Sequence, residues 1–86
     1  MEQRSPQIER FIQAINQSLT VNSWTQRELC EQMGITIGSM SKYLAGKVDP
    51  NDVKFRVQAA LARTLGLTAD SLFHFYESGE YHSAIT

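Results

Sequence analysis

The stretch Thr25–Lys47, TQRELCEQMGITIGSMSKYLAGK, decides how the rest of this 86-residue chain is read. Thr25-Gln26-Arg27-Glu28 has the spacing of a capping box. The Thr25 hydroxyl can take the N–H of Glu28, and the Glu28 side chain can reach back to the N–H of Thr25. Trp24 before the cap and Leu29 after it stand at hydrophobic-staple spacing. Leu29, Cys30 and Met33 then form an apolar stripe. Gly34 ends this helix, because glycine enters the left-handed region without a Cβ penalty. Thr36 caps a second helix, which runs to Leu44 or Ala45 and closes at Gly46. The expected pattern is a helix over 26–33, a glycine turn, and a helix over 37–45.

On the N-terminal side, Ser5-Pro6 is a cap followed by proline at the first helical position, where its missing N–H costs little. Ile8, Phe11, Ile12, Ile15 and Leu19 follow at steps of three and four, so a helix is expected over 6–20 with one buried face. Thr20 to Ser23 reads as a short polar connector. On the C-terminal side, Lys47 to Pro50 reads as a loop. Asp49-Pro50 opens a helix expected over 51–65, with Val53, Val57, Ala60, Leu61 and Leu65 inward. Phe55, Ala59 and Ala62 make a second, weaker stripe. Gly66 ends that helix. Thr68 then caps a last helix over 69–78, whose inner face is Ala69, Leu72, Phe73 and Tyr76, with Gly79 beyond it. Residues 80–86 read as a loose tail. No strand alternation or internal repeat is visible. The expectation is an all-α, compact five-helix domain over 1–79.

Composition narrows the class. Hydrophobic residues make up 42% of the chain, enough for one small core, and the apolar runs are too short to span a membrane. The N-terminus has no signal-peptide core, and one cysteine excludes an internal disulfide, so a cytoplasmic protein is expected. The net charge of −1 selects no partner, but its distribution is uneven. Lys42, Lys47, Lys54, Arg56 and Arg63 stand against only Asp49 and Asp52, whereas no Lys or Arg follows Arg63. Nucleophile-elbow, phosphate-loop and dinucleotide motifs are absent, so no enzyme is expected. His74 and His82 lack partners at ligand spacing, and Glu77 with Glu80 has no site around it; no metal or cofactor is expected. Cys30, beside Leu29, reads as a small buried residue rather than a reactive thiol.

Helix, glycine turn, helix at this spacing is the helix-turn-helix plan, whose second helix enters the DNA major groove. Thr25-Gln26, Leu29-Cys30, Gly34-Ile35-Thr36, Met40-Ser41, Gly46-Lys47, Pro50, Leu61-Ala62, Leu65-Gly66-Leu67 and Leu72 resemble, in order, the lambda-repressor/Cro-type helix-turn-helix family. The match covers Trp24 to Tyr76. It implies a five-helix transcriptional regulator that binds double-stranded DNA, usually as a homodimer on a palindromic operator. Carried over by position, Gln26 would bond a phosphate at the start of its helix, where N–H groups and the dipole favour anions. Ile37, Gly38, Ser39 and Lys42 would face the groove, with Met40 and Leu44 toward the core. Ser41 joins Ser39 and Lys42 as a candidate for base or phosphate contact. Arg27, Lys47, Lys54 and Arg56 are candidate phosphate clamps.

Two departures from the family pattern bear on partner choice. Ile37 and Gly38 stand where members often carry polar residues, so neither side chain can hydrogen-bond a base edge, and Ile37 can only touch a thymine methyl. Ile37, Tyr43 and Val48 could instead dock a protein partner, which makes a protein-interaction module on the same scaffold the alternative reading. At the C-terminal end, Phe75 falls off the expected inner face. With Tyr76 and Tyr81 it forms a candidate homodimer contact, since aromatics are enriched at interfaces.

Overall fold

The Ser5 hydroxyl accepts the N–H of Ile8 at 3.1 Å, and Pro6 follows as the first helical residue, so the chain enters its first helix at the cap-plus-proline signal. The structure, a computed structural model, describes residues 5–80. It contains α1 (Pro6–Asn22), α2 (Gln26–Met33), α3 (Ile37–Leu44), a 3-10 turn (Pro50–Asp52), α4 (Phe55–Thr64) and α5 (Ala69–Ser78). The protein is all-α. Among the described residues no helix is long and apolar enough to cross a membrane.

α1 touches every other element, and α4 touches α1, α2 and α5. The core is therefore built around Phe11 and Ile15 of α1, both fully buried. Leu29 and Met33 of α2, Met40 of α3, Leu61 of α4 and Leu72 of α5 close over them. The Phe11 ring lies 5.2 Å from that of Tyr43 and 5.8 Å from that of Tyr76, the second edge-on, a favourable quadrupole geometry. Cys30 is buried in this core, and its thiol lies 3.7 Å from the Thr36 carbonyl.

Three local expectations are corrected. First, α1 continues to Asn22 instead of stopping at Thr20. The Asn22 amide donates to the carbonyls of Ser18 and Thr64, both at 2.9 Å, which ties the extra turn to the end of α4. Ser23 then takes the left-handed conformation (φ 55°), uncommon for a non-glycine residue, and the N–H of Trp24 closes on the Leu19 carbonyl. Beside it, Thr64 donates its hydroxyl to the Leu61 carbonyl, so Ser18 must be the donor in the 2.6 Å Ser18–Thr64 contact.

Second, Asp49-Pro50 does not open the long helix expected over 51–65. Asp49 caps a single 3-10 turn, and Val53 and Lys54 are extended before α4 begins at Phe55. The Pro50 carbonyl explains the break. In a continuous α-helix it would take the Lys54 N–H, but here it takes the N–H of Val53 and the side-chain amide of Gln58.

Third, the buried face of α5 is rotated. Leu72, Phe75 and Tyr76 are inside, and Phe73 is half-buried. α5 contacts both α1 and α4, so its apolar face is set by two neighbours. Phe73 is left at the edge, 6.1 Å from the ring of Phe55.

Gly34 and Gly38 separate two uses of glycine. Gly34 has φ +68° at the end of α2, and an added Cβ would lie 3.4 Å from the Arg56 guanidinium. Gly34→Ala is expected to destabilise the protein by about 1 kcal/mol or more. A Cβ at Gly38 would meet only the Thr36 hydroxyl, at an ordinary 3.8 Å. Gly38→Ala is expected to raise stability by up to about 1 kcal/mol, because alanine is the better helix former. Urea denaturation of the two variants checks the opposite signs.

Candidate nucleic-acid interface

The capping box at the start of α2 is complete. The Thr25 hydroxyl accepts the Glu28 N–H at 3.2 Å, and Glu28 Oε1 accepts the Thr25 N–H at 2.9 Å. The cap takes up the third N–H of the helix. Those of Gln26 and Arg27, at its first two positions, have no intrahelical acceptor, and both side chains are exposed. This is a positive helix end with an amide and a guanidinium on it, a natural seat for an anion.

α3 is short and two-faced. Met40 is fully buried and Leu44 half-buried, whereas Ile37, Gly38, Ser41 and Lys42 are exposed. Those four positions form one face, since 37 lies over 41 and 38 over 42. The face carries one cation, one hydroxyl, one bare backbone position and one apolar side chain, Ile37 at 48% exposure. Ser39 is placed differently. Thr36 caps α3 by accepting the Ser39 N–H and donates its own hydroxyl to Ser39 Oγ, both at 3.1 Å. The Ser39 hydroxyl is held back against the cap and half-buried, away from the other four.

Ser39 opens instead onto a groove of 330 Å³ between α3 and the start of α4, whose walls include Thr36, Tyr43, Val48, Asp52, Lys54 and Arg56. The fold thus brings Ser39, Lys54 and Arg56 together, while Gln26, Arg27, Ser41, Lys42 and Lys47 are not among these walls. Lys54 is the N-cap of α4 and supplies no side-chain cap to it. Two cations, Lys54 and Arg56, therefore stand at the positive end of a helix. That arrangement is unfavourable alone and favourable once an anion sits between them and the backbone N–H groups. Lys47 is exposed at the far end of α3, where its N–H bonds the Lys42 carbonyl.

Thr36 and Asp52 are groove residues that the sequence reading did not select as site residues, whereas Tyr43 and Val48 stand there as candidates for a protein partner. Burial pushes the Tyr43 phenol above its ordinary value of 10.0, and Arg56 partly opposes this. Burial likewise pushes the Cys30 thiol above 9.0, with Arg27 opposing. In the unfolded chain both groups ionise at their ordinary values. The folded state then holds more protons than the unfolded state above about pH 9, so stability is complete below that value and falls as pH rises through it. A Cys30→Ala/Tyr43→Phe variant is expected to show a shallower alkaline decline of its urea midpoint than the wild type.

The aromatic end does not offer the expected contact. Phe75 and Tyr76 are only 6% and 4% exposed, taken up by the packing of α5 on α1 and α4, so neither presents its ring for a dimer. Tyr81 lies outside the described residues. Among the described residues, Phe55 is exposed on this side, at 64%, leaning on Phe73.

No protein-family model, no curated protein and no solved structure matches this chain.

Proposed function

We propose that this chain is a sequence-specific double-stranded DNA-binding regulator of the lambda-repressor/Cro type, a cytoplasmic binding protein and not an enzyme. α2 and α3 form its helix-turn-helix, and α3 enters the major groove. The observation that carries the reading is the exposed face Ile37–Gly38–Ser41–Lys42, accompanied by two anion-favouring helix starts, one with Gln26 and Arg27 and one with Lys54 and Arg56. Lys42 reads a guanine edge or a phosphate, Ser41 a base edge, and Ile37 a thymine methyl. Gly38 lets the helix backbone approach closely. Gln26, Arg27, Lys47, Lys54 and Arg56 hold phosphates and set the register. Two copies on a palindrome place their α3 helices about one helical turn apart, which supplies the specificity that one eight-residue helix lacks.

The test is a Gln26→Ala/Lys42→Ala variant, measured against a duplex selected by the wild-type protein from a random pool. Affinity is expected to fall about a hundredfold, with the melting temperature nearly unchanged because both side chains are exposed. Unchanged affinity contradicts the reading. Ile37 at 48% exposure favours a second reading, in which the same face docks a protein. Weak, sequence-indifferent DNA binding together with capture of one stoichiometric protein partner selects that alternative.

A further inference from the structure

Gln58 is 1% exposed and closes the first turn of α4. Its amide is bonded at both ends within the core: Nε2 donates to the Pro50 carbonyl at 2.9 Å, and Oε1 accepts the Tyr76 hydroxyl at 2.7 Å. The direction is forced. A carbonyl only accepts, so the amide nitrogen must face Pro50, its oxygen must face Tyr76, and the phenol must donate. The same Pro50 carbonyl accepts the Val53 N–H that closes the 3-10 turn. Gln58 therefore fastens this turn, which lies between Lys47 and Lys54, to α4 and through Tyr76 to α5. A second tether, from the Asn51 amide to Gln7 Oε1 at 2.9 Å, is exposed and competes with water; the inner one does not.

We propose that Gln58 is a positioning residue for the phosphate-facing segment from Lys47 to the start of α4, acting from inside the core without touching DNA; this rests on the DNA-binding reading above. Without the strut, the turn must be ordered at the moment of binding, and the cations on either side of it lose their shared register. An amide is not needed to fill the site, since methionine has similar volume and carries no polar group to satisfy.

Gln58→Met, Tyr76→Phe and the double variant separate positioning from stability. Each single change strands a buried polar partner and lowers the melting temperature. The double change removes both partners, so its melting temperature recovers toward the wild-type value. Binding is read on a random-sequence duplex across a salt titration, because phosphate contacts do not depend on sequence. The double variant is expected to bind about tenfold more weakly, with a log–log salt slope shallower by about one to two phosphates. Wild-type affinity and slope in the stable double variant overturn the proposal. If the double variant does not fold, Gln58→Met alone, at a temperature where its melt shows it folded, gives the same two outcomes. A wild-type protein that binds no duplex at low salt overturns the DNA-binding reading, and this proposal with it.

Discussion

Phe11→Ala is expected to lower the unfolding free energy by about 3–5 kcal/mol. Phe11 is fully buried in α1, the helix that touches all others, and its ring meets both Tyr43 of α3 and Tyr76 of α5. A domain of this length has roughly 4–13 kcal/mol in total, so the single change removes a large share of it. Val21→Ala is the matched control. Val21 lies on the same helix at 59% exposure, and its replacement is expected to stay within about 0.5 kcal/mol. Urea denaturation followed by helix content measures both. Similar costs at the two positions contradict a core organised on α1.

The second large effect concerns binding. Lys54→Glu/Arg56→Glu is expected to weaken DNA affinity by roughly 10²–10³ at low salt, since two attractive charges become repulsive ones beside the phosphates. The same variant is expected to be slightly more stable than the wild type, by about 0.3–1 kcal/mol, because acidic side chains suit the positive end of α4. Opposite signs for fold and function are the signature of cations kept at a helix start for an outside partner. A variant that loses stability and keeps its affinity contradicts that role.

The parts legible in the sequence are those governed by residues within a few positions of one another. The capping box at Thr25–Glu28, the Thr36 and Thr68 caps and the left-handed Gly34 are local chemistry, and each stands as its spacing predicts. What periodicity could not supply came from distant partners. Asn22 extends α1 while bonding Thr64, and where the fourth helix is expected to start the Pro50 carbonyl is taken by the Val53 N–H and the distant Gln58 amide. Tyr76 is held by Gln58 from the neighbouring helix, and Phe75 turns inward with it while Phe73 is left at the edge. The candidate interface divides along the same line. The exposed face of α3 follows from helical spacing alone. The groove that joins Ser39 to Arg56 spans two elements, and the capture of the Ser39 hydroxyl by Thr36 depends on a rotamer. Neither is written in the order of residues.

The most direct measurement is a salt titration of the wild-type protein on the duplex it selects from a random pool. Five exposed cations are assigned to phosphates or base edges: Arg27, Lys42, Lys47, Lys54 and Arg56. Log affinity is therefore expected to fall linearly with log salt, at a slope of about −4 per protomer and twice that for a dimer. Selection that converges on no sequence, or a slope near zero on the duplex it yields, contradicts the proposal that this chain reads DNA.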